Sequence, residues 1–243
     1  MRFVFLALMC VFAGIHAARS AKPPGAARTA DLWDAAGRLF FRIAASLMFV
    51  LIAVASRTGV KHQAYYVLVL VGLCISLASD VLLGFTGVRR DVSTLRDSGF
   101  QSRPKDWGVR SSSIASAFAA ITGAVYIGAF YSYAAFSWYD AAFFVVLFAL
   151  ACAVIYNAKR DMFKSAVLLM FILLLCAVFA KALSLLFVPS RRYVYACLAA
   201  AGAALFAAYG AMRILPAKNG KYTIAQFIAY YIGQALIALS VMI

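Results

Sequence analysis

The chain has 243 residues, of which 66% are hydrophobic and only 13% are charged, whereas a soluble domain is about half apolar and about a quarter charged. This composition excludes an ordinary soluble domain and predicts an all-α, polytopic transmembrane helical bundle. The net charge is +15, from 23 Lys and Arg against eight acids, all of them Asp. In a membrane protein such an excess is typical of the positive-inside bias and of contact with anionic lipid, so we predict no nucleic-acid partner.

The N-terminal segment, residues 1–32, consists of a short apolar run at 3–18 and a polar connection at 19–32. Two interpretations fit the run behind Arg2: a short first transmembrane span, or the apolar region of a signal peptide. A cleaved signal would leave the basic connection on the wrong side of the membrane, and we therefore favour the span.

Residues 33–243 are predicted to form the main transmembrane domain, which begins with an apolar segment at 33–56. Asp34, Arg38 and Arg42 follow one another at four-residue steps near its start. That spacing allows ion pairs within one helix. The interpretation we favour is a solvated helix end whose arginines reach outwards to the membrane surface.

The next segment, 65–85, is long and apolar enough to cross a bilayer, yet it contains Asp80. Four-residue steps from Asp80 place Gly72, Ser76 and Gly84 on the same face. This small, polar stripe should face protein, with the aliphatic faces towards lipid. A carboxyl group at this depth costs at least about 2.5–3.5 kcal/mol to insert, which favours a functional role. The alternative is an aspartate that only ties helices together.

Residues 86–111 are polar, and we predict a surface loop inserted between spans. Five further apolar segments follow, at 112–133, 138–156, 163–188, 193–214 and 222–243. Together with the earlier segments they give about eight spans. Most Lys and Arg fall at the odd-numbered connections, which predicts that both termini lie outside the cell or in a lumen.

Lys181 and Arg213 are the two cations in later spans that could pair with Asp80. Asp80 lies five residues before Phe85, and Lys181 lies six residues before Phe187, on the opposite half of the membrane. The two are offset by roughly 15 Å along the membrane normal, so we predict that Lys181 extends outwards instead of pairing with Asp80. Arg213, at the basic end of its span, is the better candidate.

The spacing of Cys and His residues in the sequence does not match a metal-binding or cofactor-binding motif. The five cysteines include no CxxC pair, and His16 and His62 are far apart and far from any carboxylate in the sequence. We therefore predict no metal site and no cofactor.

Four sequence blocks resemble, in order, those of the YhhN or lysoplasmalogenase family of multi-pass membrane proteins. They are VGLCISLASDVLL at 71–83, TGAVYIGAF at 122–130, AGAALFAAYGAM at 201–212 and AYYIGQALIALS at 229–240. The resemblance covers most of residues 60–243. It implies a hydrolase that cleaves the vinyl ether of lysoplasmalogens into a fatty aldehyde and a glycerophospho-base.

Vinyl ether cleavage needs an acid to protonate a carbon of the vinyl group and a base to activate water. The resemblance places Asp80 at the first acidic position of the family, as the catalytic residue. Ser76, Tyr230 and Gln234 also match the family's blocks. With Arg213 they form the candidate set for binding a lysophospholipid substrate.

The chain departs from the family at two positions. Gly210 stands where the family has a second acid, and Gly123 stands where it has a histidine. Gly72 and Tyr231 do match. Two functions therefore remain open: a lysoplasmalogenase-like hydrolase, or a catalytically degenerate member that binds lipid or has a structural role. In either case we predict an integral, multi-pass protein of the endomembrane system or plasma membrane.

Overall fold

The computed structural model describes residues 2–20, 28–60, 62–96, 106–157, 166–188, 193–214 and 220–242. The regular structure within these ranges is helical, as the composition predicts. The α-helices are α1 (Arg2–Ser20), α2 (Arg28–Ala55), α3 (Gln63–Arg96), α4 (Asp106–Tyr133), α5 (Trp138–Asn157), α6 (Ala166–Ser184), α7 (Tyr193–Ile214) and α8 (Gly220–Ser240). Short 3-10 turns follow α2 and α6, at Arg57–Gly59 and Leu185–Phe187.

The helices form a closed ring with two helices outside it. Around the ring, each helix packs on the next in the order α2, α3, α4, α6, α7 and α8, and α8 packs back on α2. Helix α1 lies outside α2 and α8, and α5 lies outside α6. Asp80 and its hydrogen-bond partners, on α2, α3 and α8, lie in the interior of this ring.

Contacts at one end of the bundle show that the helices alternate in direction. Arg2, at the start of α1, donates from Nε to the carbonyl oxygen of Ala55 at 3.1 Å, at the end of α2. Tyr65, at the start of α3, has its hydroxyl 2.7 Å from Oγ of Ser240, at the end of α8. A cation beside the last carbonyl groups of a helix also interacts favourably with the helix dipole.

Helices α7 and α8 approach each other closely where glycines face each other. A Cβ atom on Gly202 would lie 2.8 Å from the carbonyl oxygen of Gly233, and one on Gly233 would lie 3.0 Å from the carbonyl oxygen of Gly202. Small residues allow helix backbones to approach this closely in a membrane, where the hydrophobic effect does not drive helices together.

Within the part of the chain that the structure describes, four helices are long and apolar enough to cross a membrane by length and composition: Ala36–Ala55, Gln63–Phe85, Leu169–Phe187 and Tyr193–Met212. Four shorter apolar helices are Arg2–His16, Ala117–Tyr133, Trp138–Val154 and Ile224–Ser240. These features are those of a helical membrane protein. That the chain crosses the membrane eight times stays a prediction.

The prediction of a loop over residues 86–111 is wrong at both ends. Helix α3 continues to Arg96, and α4 begins at Asp106. A helix satisfies its own backbone hydrogen bonds, so it need not stop where the side chains become polar. Residues 97–105 lie outside the described residues.

The orientation predicted for the stripe on α3 is confirmed. A Cβ atom on Gly72 would collide with the ring of Tyr126, whereas Val67 and Val71 are more than two-fifths exposed on the other side. The stripe faces α4 and the ring interior, and the aliphatic side of α3 faces outwards.

Candidate functional site

Asp80 lies in the interior of the ring, only 2% exposed, and both of its carboxylate oxygens accept hydrogen bonds. Its Oδ1 accepts from Nε and Nη2 of Arg42 on α2, at 2.9 and 2.8 Å. Its Oδ2 accepts from the hydroxyl of Tyr230 on α8, at 3.0 Å, and from Oγ of Ser46 on α2. One carboxylate therefore joins three helices.

The interpretation of Arg42 as an outward-reaching cation is wrong. Helix α2 begins at Arg28, so Arg42 lies well inside the helix and not at its solvated end. Its side chain is 18% exposed and forms an ion pair with Asp80. The two-pronged contact gives the buried carboxylate a counter-charge with fixed geometry.

Arg213, the cation predicted to pair with Asp80, is not described in the same detail. Arg213 belongs to the last turns of α7, but its side chain lies outside the described part of the structure. Pairing of Arg213 with Asp80 therefore stays a prediction, and Arg42 is the cation that the structure places beside the carboxylate.

A second polar group lies about one helical turn from Asp80. Ser76 Oγ is 3.4 Å from Oγ1 of Thr122 and accepts a hydrogen bond from Nε2 of Gln234, also at 3.4 Å. Gln234 in turn accepts a hydrogen bond at Oε1 from the hydroxyl of Tyr126. These residues connect α3, α4 and α8 through side-chain hydrogen bonds. Three of the sequence-predicted site residues, Ser76, Tyr230 and Gln234, thus lie in one region with Asp80.

A small cavity of about 10 Å³ separates Asp80 from α4 and α7. Its lining consists of Ser76, Ser79, Asp80, Ala119, Thr122, Phe206, Tyr209 and Tyr230. A space of this size holds about one water molecule. The glycerol head of a lysophospholipid is much larger and does not fit in it.

Gly123 and Gly210, the two positions at which the sequence differs from the blocks it resembles, face away from this cavity. A Cβ atom on Gly123 would contact Leu174 and Val178 of α6, at 3.7 and 3.6 Å. A Cβ atom on Gly210 would collide with Leu175, also on α6. The residues that line the cavity are instead their neighbours, Thr122 and Tyr209. A carboxylate at position 210 would therefore point at α6 and not at Asp80.

His16 of α1 and Tyr231 of α8 are buried and in ring contact with each other, and the sequence pattern alone predicts no role for them. His16 is 4% exposed, and its Nδ1 lies 3.0 Å from the carbonyl oxygen of Arg38. Its ring packs edge-on against Phe227, with centroids 4.5 Å apart. Tyr231 is buried beside it.

The prediction that Lys181 extends outwards is also wrong. Its side chain is 2% exposed, and Nζ donates to Oδ2 of Asp140 at 2.9 Å and to the carbonyl oxygen of Ala135 at 2.8 Å. Lys181 pairs with Asp140 in the first turn of α5, near the predicted end of an apolar segment, where a charged side chain normally meets water.

Comparisons of the chain with protein-family models, with curated proteins and with solved structures found no match. The resemblance to the YhhN family therefore stays a prediction made from the sequence blocks.

Proposed function

We propose that this chain is a YhhN-like, multi-pass membrane protein in which Asp80 has a structural role and ether hydrolysis has been lost. The observation that carries the proposal is the saturation of the Asp80 carboxylate, which accepts two hydrogen bonds from Arg42, one from Ser46 and one from Tyr230. A general acid or base must come within hydrogen-bond reach of the reacting atom. Here the positions around both oxygens are occupied by protein donors.

The size of the neighbouring cavity supports the same proposal. At about 10 Å³ it leaves no room beside Asp80 for the head of a lysophospholipid. The residue at the family's second acidic position is Gly210, and its Cα–Cβ direction leads to α6. An acid–base pair around one substrate would need a second titratable group and more space.

Hydrolysis of a lysoplasmalogen-like lipid is the second candidate function. One observation favours it: Asp80 is in the wall of a cavity with room for a water molecule, together with the hydroxyl-bearing Ser76, Tyr209 and Tyr230. In that function Asp80 would act as the acid or the base, and Ser76, Tyr230 and Gln234 would bind the head group with Arg213.

An assay of aldehyde release separates the two functions. Purified full-length protein in phospholipid nanodiscs is given a lysoplasmalogen, and fatty aldehyde is quantified by mass spectrometry. The proposal predicts release no greater than that of empty nanodiscs. Release by the wild type that is abolished in a folded Asp80→Asn variant would overturn it and support the hydrolase.

We also propose the membrane orientation that the charge bias favours, in the endomembrane system or plasma membrane. Helix α1 begins beside the ends of α2 and α8, so these three ends are expected on one side, outside the cell or in the lumen. Glycosylation acceptor sites appended to each end test this directly. Modification at both termini is expected, and modification within the basic 97–105 segment would contradict the orientation.

A further inference from the structure

A second cavity lies between α4, α5 and α6, at the end of the bundle where α5 begins. Its volume is about 300 Å³, which is at the lower limit of pockets that bind small molecules. Helices α4 and α5 both pack along α6 and make little contact with each other. The space between them is consequently left open above α6.

The walls of this cavity are apolar except at one end. Ile127 of α4, Phe144 of α5 and Ala177 of α6 belong to the apolar lining. The ion pair of Asp140 and Lys181 forms the polar end. A cavity with one polar end and apolar walls fits an amphiphile better than a freely soluble metabolite.

One acceptor at the polar end has no donor among the described residues. Oδ2 of Asp140 accepts hydrogen bonds from Lys181 Nζ and from the backbone nitrogen of Ser137, at 2.9 and 2.8 Å. Oδ1 of Asp140 is buried without a hydrogen-bond partner. Oδ1 is therefore closed to the cavity, and the polar end meets a ligand through the ion pair as a whole.

The charges at this end of the cavity determine which kind of head group fits. Lys181 neutralises Asp140, so a charged head group would find no free counter-charge there. Nζ of Lys181 already donates to Ala135 and Asp140, and it lies 4.4 Å from the ring centroid of Tyr131. The polar end thus carries no net charge, and it matches a neutral head group with hydroxyls.

The location of the site indicates that its ligand arrives from the membrane. Phe136 and Trp138, which flank the start of α5, are both 67% exposed. Aromatic residues at a helix end are typical of the membrane–water interface. A lipid could place its head group at this level and its chain along the apolar walls.

We propose that the Asp140–Lys181 cavity binds a neutral, single-chain lipid whose head group carries hydroxyls, such as a monoacylglycerol. The hydroxyls of the head group lie at the Asp140–Lys181 pair, and the acyl chain runs past Ile127 and Phe144. The proposal does not depend on the role of Asp80, which lies in a different cavity.

The test uses the full chain in phosphatidylcholine nanodiscs and a monoacylglycerol with a photoactivatable acyl chain. Crosslinked peptides are mapped by mass spectrometry, with unlabelled lipids as competitors. We expect labelling of α4 to α6 that monooleoylglycerol suppresses. Free glycerol should not compete, since it lacks the chain, and the dimethyl ether of monooleoylglycerol should compete at least ten-fold less well, since it lacks the donor.

Two variants with a matched substitution locate the site. Ala177→Leu fills the cavity without touching the ion pair and should reduce labelling at least ten-fold. Ala149→Leu, at an exposed position of α5 that does not line the cavity, should label like the wild type. Thermal unfolding of each variant confirms that it is folded.

Several outcomes would overturn the proposal. These are labelling by Ala177→Leu at the wild-type level, equal competition by the dimethyl ether, or equal competition by an anionic lysophospholipid. Competition by glycerol alone would replace the lipid with a small polyol. Aldehyde release, measured on the same sample with a lysoplasmalogen, bears only on Asp80 and distinguishes a failure of that function from a failure of this one.

Discussion

The guanidinium of Arg42 and the carboxylate of Asp80 meet through two hydrogen bonds, from Nε at 2.9 Å and from Nη2 at 2.8 Å, both to Oδ1. The two residues are 38 positions apart in the sequence and lie on neighbouring helices, α2 and α3. This pair, with Ser46 and Tyr230 on Oδ2, gives the buried acid its full set of donors. The predictions below follow from that arrangement and from the packing around it.

Ser46→Ala removes one donor from Oδ2 of Asp80. We expect a loss of about 1–2 kcal/mol in the free energy of unfolding, because a hydrogen bond to a charged, buried acceptor is lost. Ser132→Ala is the matched control, since Ser132 is exposed on α4 and should change stability by less than about 0.5 kcal/mol. Unfolding in mild detergent measures both variants. Equal effects would contradict a special role for Ser46.

Tyr126→Phe should destabilise the protein by about 1–3 kcal/mol, because it leaves Oε1 of Gln234 without its donor in the ring interior. Tyr156 is 84% exposed, so Tyr156→Phe serves as the control with the same chemical change. The shift in the unfolding midpoint is the measurement. A Tyr126→Phe variant as stable as the control would mean that this hydrogen bond contributes little.

Gly202→Ala should weaken the packing of α7 on α8. The added methyl would lie 2.8 Å from the carbonyl oxygen of Gly233, and overpacking of this kind costs about 1–3 kcal/mol. Gly128→Ala, also within a helix, meets nothing within 4 Å and should be neutral or slightly stabilising. Comparison of their unfolding midpoints tests the close approach. Equal midpoints would argue against it.

Gly210→Asp places an acid at the position that the resemblance to the YhhN family assigns to a second acid, and it should nevertheless give no aldehyde release. Its Cβ would point at Leu175 on α6, away from the Asp80 cavity. Stability should also fall, with Gly210→Asn as the uncharged control for the effect of size. Release of aldehyde by the Asp variant alone would show that position 210 reaches the substrate after all.

Part of the site could be predicted from the sequence because it depends on helix periodicity. Gly72, Ser76 and Asp80 recur at four-residue steps, and a helix places such residues on one face. Tyr230 and Gln234 share a face of α8 for the same reason. The structure brings these residues into one region of the ring, and Asp80 and Tyr230 are in direct contact.

The partners of the buried charges could not be predicted in the same way. Arg42 and Asp140 lie near the predicted ends of their apolar segments, where a charged side chain normally meets water. Whether such a side chain turns inwards depends on the partner that the neighbouring helix offers. Asp80 on α3 and Lys181 on α6 supply the opposite charges, and such contacts between distant segments leave no periodic pattern in one sequence.

A double-mutant cycle between Arg42 and Asp80 tests the structural role of this pair most directly. Arg42→Met, Asp80→Asn and the double variant are compared by their free energy of unfolding in detergent, with Arg57→Met, an exposed arginine, as the control. Removal of one partner of a buried pair costs about 3–5 kcal/mol, and we predict that the double variant loses at least about 1 kcal/mol less than the two single losses combined. Losses that simply add, with single variants as stable as Arg57→Met, would contradict the account.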